Sequence, residues 1–461
     1  MSKFRNICKQ SNGLTTGRRA LPLGLLSVLL TLTGCKSETP DESLSFSDAV
    51  VEFSTGMSDG DELWSELPET ARSTRAIGPI NSLADLKALT DGFGVFAYFT
   101  DATIWTDAIS GKAVGDASYP KPDFMFNQPV VWNLLNDNIT YDWTYSPPKY
   151  WPNSSDNVTP RRISFFAYAP WTYSHDDGTT DETEGIVKMT NATDKSPHID
   201  FVQPASPTLQ TDLLWASCAD ATRNGRGLVV LNDNGHTYQK VPLTFKHALA
   251  CVEIYVQRMY DEPTYSGKHP EQEEHTKLFI SKLKLQNTTN ITNSGTLNLS
   301  TGNWDSTSGS EDNMTFAEAL LNDAISSSYM TEKWPLSDYG VDQELRPLFK
   351  SGRPLMIMPQ DLTLTPTMTY TMLTQDNSLE LSALTDSEGN KYARIDHETT
   401  GNQISLTLQG GKKYWLVLHI GVETVRFEVV SVVDWDFPMR FNPETVDNYK
   451  DEVKERTISE Q

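Results

Sequence analysis

The sequence predicts an all-β chain folded as two antiparallel β-sandwich domains in tandem. Three observations predict it. Short runs rich in aromatic and β-branched residues, several with a period of two, recur along the body. Clusters of Gly, Pro, Asn and Asp separate those runs. The 461 residues exceed what one core uses, which makes two domains the default.

Hydrophobic residues make up 38% of the chain, enough for ordinary cores. The formal charge of −23 repels phosphate backbones, so no nucleic-acid partner is expected. Of four cysteines, only Cys218 and Cys251 fall in the body, too few for a disulfide scaffold or a zinc site. They read either as one bridge or as two small buried hydrophobes, and Cys251 in an apolar strand run favours the second.

Residues 1–35 have the profile of a secretory signal peptide. Basic residues end at Arg18 and Arg19, and an apolar run from Ala20 to Leu32 follows. That run is too short for a comfortable transmembrane helix. It ends in Leu32-Thr33-Gly34-Cys35, which resembles a bacterial lipobox, so Cys35 is the expected lipidation site and membrane anchor. Residues 36–75 read as a tether or propeptide. Within it Ala49, Val51 and Phe53 alternate with Val50, Glu52 and Ser54, the pattern of one half-buried strand. Beyond it a Gly-, Pro- and Asp-rich linker carries Arg72 and Arg75, with one weak helical turn expected at Leu63 to Leu67.

The first sandwich is expected over residues 76–240. A brief helix, "SLADLKAL", has Ser82 as its cap, and strand runs such as "GFGVFAYFT", "FMFNQPVVWN" and "RRISFFAYAPW" follow. The boundary is placed where a Gly/Asn-rich loop gives way to Val241. The second sandwich covers 241–440, with Leu416, Leu418, Ile420 and Val422 sharing a face in one strand run and Val425, Phe427 and Val429 sharing a face in the last. A short helix is expected at "TFAEALLNDAI" in the polar stretch 302–350. Residues 441–461 form a charged tail with little to bury.

Chemistry-bearing motifs are scarce. No nucleophile elbow, zincin, Walker or dinucleotide pattern occurs, and no catalytic residue, metal or cofactor is expected. The cluster His269, Glu271, Glu273, Glu274 and His275 has ligand-type residues, but its hydrophilic surroundings read as a solvated loop. Eleven tryptophans raise sugar stacking as an alternative, with Trp105, Trp132, Trp143, Trp151 and Trp171 in or beside strand runs; core burial explains them more simply.

The succession Gly92-Phe93-Gly94-Val95-Phe96-Ala97, Asn127-Gln128, Tyr150-Trp151-Pro152 and Ser164-Phe165-Phe166-Ala167-Tyr168-Ala169-Pro170, with the lipobox ahead of it, resembles the fimbrillin family of Bacteroidia. These are type V pilus subunits, and the likeness is to the minor-fimbrillin-like branch. "VPLTFKHALACVEIYV" is similar to the strand opening that family's second domain, and the likeness spans roughly residues 20 to 436. The resemblance implies transthyretin-like sandwiches, export as a lipoprotein, a place in the cell-surface fimbrium and partnership with other fimbrial subunits. It also implies an arginine-specific protease that removes an N-terminal plug strand, here Ala49, Val51 and Phe53. Cleavage would follow Arg75, or else Arg72. A strand from the next subunit then fills the groove, with Val425, Phe427 and Val429 as the candidate donor here.

A donor held in its own domain would instead suit a tip or anchor subunit, or a chain that does not polymerise at all. Host or bacterial surface ligands are further expected partners. The competing reading is a monomeric outer-membrane lipoprotein that binds glycans; a hydrolase with dispersed carboxylates has no motif behind it.

Overall fold

The computed structural model describes residues 50–58, 79–112, 118–152, 160–191, 196–231, 236–258, 276–316, 346–349, 354–379, 384–385, 389–420 and 425–435. Cys35, Ala49, Arg72, Arg75, Val422, the 269–275 cluster, the turn at 63–67 and the tail all lie outside these residues.

The aromatic and β-branched runs form strands. In the first half these are β1 (Phe53–Met57), β2 (Phe93–Asp101), β3 (Met125–Leu134), β4 (Tyr141–Thr144), β5 (Arg162–Ala169), β6 (Gly185–Met189), β7 (His198–Val202), β8 (Leu214–Arg223), β9 (Val229–Val230), β10 (Thr237–Tyr238) and β11 (Val241–His247). In the second half they are β12 (Ala250–Arg258), β13 (Thr276–Asn287), β14 (Ser294–Asn298), β15 (Trp304–Ser308), β16 (Asn313–Phe316), β17 (Arg346–Pro347), β18 (Leu355–Ile357), β19 (Gln360–Gln375), β20 (Leu384–Thr385), β21 (Lys391–Thr400), β22 (Ile404–Leu408), β23 (Lys412–Ile420) and β24 (Val425–Asp434). Two short helices accompany them, α1 (Leu83–Ala88) and α2 (Trp105–Ile109). Ser82 caps α1 as expected, its hydroxyl accepting from Asp85 N–H at 3.2 Å.

The first sandwich is built on a nine-stranded sheet ordered β1-β11-β8-β5-β2-β3-β4, with the β9–β10 hairpin attached to β8. Strands β2 and β5 are buried on both faces, so their sequences are continuously apolar rather than alternating. Phe93, Val95, Phe165 and Ala167 enter one core, while Phe96, Tyr98, Phe166 and Tyr168 enter another. A four-stranded sheet, β15-β14-β7-β6, supplies Ile199, Phe201 and Leu297 to the second of these cores.

The second sandwich packs a five-stranded sheet (β17-β12-β23-β24, with β18 on β12) against a six-stranded one (β16-β13-β19-β21-β20, with β22 on β19). Its core includes Ile254, Leu283, Met368, Leu416, Leu418, Ile420, Val425 and Phe427.

Val241 opens a strand, and that strand lies in the first sheet between β1 and β8. β12, starting at Ala250, is the first strand of the second sandwich. The chain also returns, since β14 and β15 pair with the first half through β7.

The sheets are mainly antiparallel, as expected, with two parallel exceptions: β1 runs parallel to β11, and β12 runs parallel to β23. Both pairs join segments distant in sequence, where a long connection permits parallel alignment. At "TFAEALLNDAI", Thr315 and Phe316 belong to β16, and residues 317–325 lie outside the described residues. Cys218 and Cys251 are buried thiols in different cores, not a disulfide.

The resemblance-bearing residues interlock. Tyr168 Oη donates to Asn127 Oδ1 at 2.6 Å, and Asn127 Nδ2 donates to Ser174 Oγ and to the Thr172 carbonyl, both at 3.0 Å. Gly94 lies beneath Tyr168, where an added Cβ would come within 2.3 Å of the ring. These motifs therefore encode packing of the first sheet rather than chemistry.

Candidate functional site

The N-terminal strand occupies a slot. One wall of the slot is β11. The register runs from Phe53 opposite Val241 to Met57 opposite Phe245, with Val241 N–H donating to the Glu52 carbonyl at 2.8 Å and Ser58 N–H to the Phe245 carbonyl at 3.1 Å. The other wall is the stretch Trp143–Tyr150. Val51 N–H donates to the Lys149 carbonyl at 2.8 Å, Tyr145 Oη donates to the Val51 carbonyl at 2.7 Å, and Trp143 Nε1 donates to Thr55 Oγ1 at 2.9 Å. An antiparallel bridge, Val50 with Tyr150, continues that wall.

The alternation expected from the sequence sets which side chains enter. Val51 and Phe53 are 0% and 1% exposed, Met57 is also buried, and Glu52 and Ser54 face solvent. Phe53 sits edge-on to Phe93 (6.3 Å between centroids) and Phe165 (5.6 Å) and tilted against Tyr145 (5.8 Å). Burial pushes the Tyr145 phenol up to about 12, so it remains a donor to Val51 at neutral pH. Lys240, just before β11, pairs with Asp142 on β4, which ties the two walls together independently of β1.

The far end of β11 enters a buried cluster. His247 Nδ1 donates to Asp212 Oδ2 at 2.8 Å, and the same oxygen accepts from Ile80 N–H at 3.0 Å. The His247 ring stacks on Trp435 with centroids 4.1 Å apart and planes within 1° of parallel. Trp435 Nε1 donates to Asn81 Oδ1 at 3.2 Å. Residues 80 and 81, soon after the two arginines, thus share an anchor with the residue that follows β24.

Among the described residues β24 is the edge strand of its sheet and pairs antiparallel with β23 alone. Val425 and Phe427 are 5% and 1% exposed, and Val429 packs partly buried against the same core. The outer edge of β24 is covered at Phe427 by a side chain: Asn402 Oδ1 accepts from its N–H at 2.7 Å and Asn402 Nδ2 donates to its carbonyl at 2.9 Å.

Trp105, Trp143 and Trp151 are buried, and Trp132 and Trp171 are partly buried against the cores. Trp171 Nε1 is committed to the Asn127 carbonyl at 3.1 Å. These five indoles contribute to the packing of the first half of the chain. Among the described residues no group of three or more His, Cys, Asp or Glu could hold a metal ion.

Sequence reasoning missed the slot walls and the Asp212–His247–Trp435 cluster. Each depends on partners distant along the chain, and no local signal marked them.

A family model described as fimbrillin-like matches residues 85–435. Among solved structures, a fimbrial protein from Bacteroides vulgatus is 20% identical with a TM-score of 0.54, covering 84% of this chain and 99% of that one. A Bacteroides ovatus protein assigned to cell adhesion is 14% identical with a TM-score of 0.34, covering 86% of this chain and 99% of that one. A Bacteroides uniformis protein with the same assignment is 14% identical with a TM-score of 0.32, covering 79% and 94%. No curated protein matches the chain.

Proposed function

The chain belongs to the fimbrillin-like family, and on that premise we propose that it is a non-enzymatic subunit of a cell-surface fimbria that contributes to adhesion. It is exported as a lipoprotein through Cys35 to the outer membrane. An arginine-specific protease cuts after Arg75, or after Arg72, and β1 then leaves its slot. A strand from another subunit fills the vacancy.

The observation that carries this reading is the seating of β1. With the preceding Val51 it is held by backbone bonds to two walls and by three buried side chains, and the walls remain tied to each other by Lys240 and Asp142. Vacating it would expose an apolar trough flanked by unpaired backbone groups, which a donor strand satisfies on both counts.

β24 is the donor. Val51-Glu52-Phe53 and Val425-Arg426-Phe427 share the pattern Val-x-Phe, and in both the Val and Phe are at most 5% exposed. Moving β24 from its own sheet into a neighbour's slot exchanges one buried Val-x-Phe pair for another, so the apolar contribution is nearly unchanged. Its edge position means that one strand partner must be given up.

The test is limited digestion of the purified full chain with an arginine-specific protease, read by mass and by unboiled detergent gels. The wild type is expected to yield a chain starting at Ala76 and a detergent-resistant ladder. An Arg72→Ala/Arg75→Ala chain should stay uncut and monomeric. A cut chain that stays monomeric would contradict strand exchange.

A further inference from the structure

A cleft of about 730 Å³ opens between the two sandwiches where β11 passes into β12. Its two walls are turns, each fixed by its own hydrogen bonds. The β14–β15 turn is closed by Gly302 N–H to the Asn298 carbonyl at 2.7 Å and by Asn298 N–H to the Asn303 carbonyl at 2.9 Å. Gly302, with φ of +77°, lies so close to Trp215 that an added Cβ would come within 1.9 Å of the ring. The β22–β23 turn is held by Gly411 N–H to the Leu249 carbonyl at 3.0 Å and by Trp435 N–H to the Gly411 carbonyl at 2.8 Å.

Two indoles line this frame, both packed against the core and both partly exposed. Trp304 is fixed by its Nε1 bond to the Ala248 carbonyl at 2.9 Å, and Trp215 has the Lys246 ammonium 5.3 Å from its ring centroid. The polar groups around them are the exposed Asn303 and Gln409, Lys246, and the Lys412–Asp434 ion pair. The cleft thus combines fixed aromatic surface with a few convergent polar groups.

The chemistry narrows the ligand. Both walls are turns, so neither offers the free strand edge an extended peptide would pair with. A net charge of −23 disfavours a polyanion. Indole surface suits the C–H face of a pyranose, and primary amides, an ammonium and a carboxylate suit its hydroxyls. We infer that this cleft binds a short oligosaccharide, with Trp304 as its stacking surface and Asn303, Gln409 and Lys246 as its polar partners. The inference rests on the adhesive, surface-exposed reading above for its use to the cell, while the binding itself does not depend on strand exchange.

The experiment uses the full chain and a panel of soluble di- to tetrasaccharides built from glucose, galactose, mannose or xylose, including sialylated forms. Binding is read by saturation-transfer NMR and by calorimetry. At least one sugar should bind, with saturation on its ring C–H protons. An Asn303→Ala/Gln409→Ala chain, altered only at exposed side chains, should keep its melting temperature and lose at least tenfold in affinity. Lys246→Ala should weaken the same sugar. The uncleavable Arg72→Ala/Arg75→Ala chain should bind as the wild type does, which separates failure of this inference from failure of fimbrial assembly. A panel with no binder, or affinity unchanged in the Asn303→Ala/Gln409→Ala chain, would overturn the inference.

Discussion

Replacing Phe53 with Ala should release β1 selectively. The side chain is 1% exposed and touches three rings, Phe93, Phe165 and Tyr145. Transfer of a phenyl group from water contributes about 1.5–3 kcal/mol, and the cavity and the lost edge-on ring contacts bring the cost of truncation to about 4 kcal/mol. The walls are closed by Lys240–Asp142 without β1, so the loss should fall on local detachment rather than on global unfolding. A change of about 4 kcal/mol corresponds to about a thousandfold rise in the detached population. Amide exchange read by mass spectrometry should show that acceleration in β1 and the facing edge of β11, with β13 and β19 unaffected. Glu52→Ala and Ser54→Ala, on the solvent side, should shift stability by less than about 0.5 kcal/mol. An acceleration below tenfold, or one spread evenly over both sandwiches, would refute the slot as a separable unit.

Tyr145→Phe removes the donor to Val51 and should cost about 1 kcal/mol at neutral pH. The native phenol holds its proton up to about 12, whereas the unfolded value is 10.0. Its contribution is therefore complete below pH 10 and lost as pH rises through 12. The loss is about 1 kcal/mol after screening at a part-buried group, and it is measurable as a wild-type minus Tyr145→Phe difference in urea unfolding between pH 9 and 12. Asp212→Ala strands the Ile80 N–H and the His247 Nδ1 donor, and calorimetric melting should show a loss of about 3 kcal/mol. Gly302→Ala drives a methyl group into Trp215 at a positive φ and should cost about 1–3 kcal/mol by urea unfolding, with a shift in indole fluorescence.

Much of this fold was legible because period and composition report burial. The unbroken apolar runs of β2 and β5 mark strands covered on both faces, and the Val51/Phe53 alternation predicts which side chains enter the slot. Strand partners were not legible. A two-residue period fixes the face of a strand but not its neighbour, so neither the parallel β1–β11 pair nor the place of β11 in the first sheet could be read. Helix α2 escaped for a related reason: Ile104 has no side-chain cap, and the Trp105 N–H is satisfied at 2.7 Å by Asp220, 115 residues away. The same distance effect hid the anchor of His247, Asp212 and Trp435, where each residue alone is unremarked in the sequence. The resemblance-bearing motifs were legible as a pattern, and only the structure gives their cause, the packing of Gly94, Asn127 and Tyr168.

The most direct measurement is the N-terminus of the surface-exposed protein, by mass spectrometry of material sheared from intact cells. The account predicts a start at Ala76, or at Ser73 if Arg72 is the cut, with residues before it absent. A surface form that begins at acylated Cys35 and retains Val51 and Phe53 would contradict removal of the plug strand and, with it, assembly through the vacated slot.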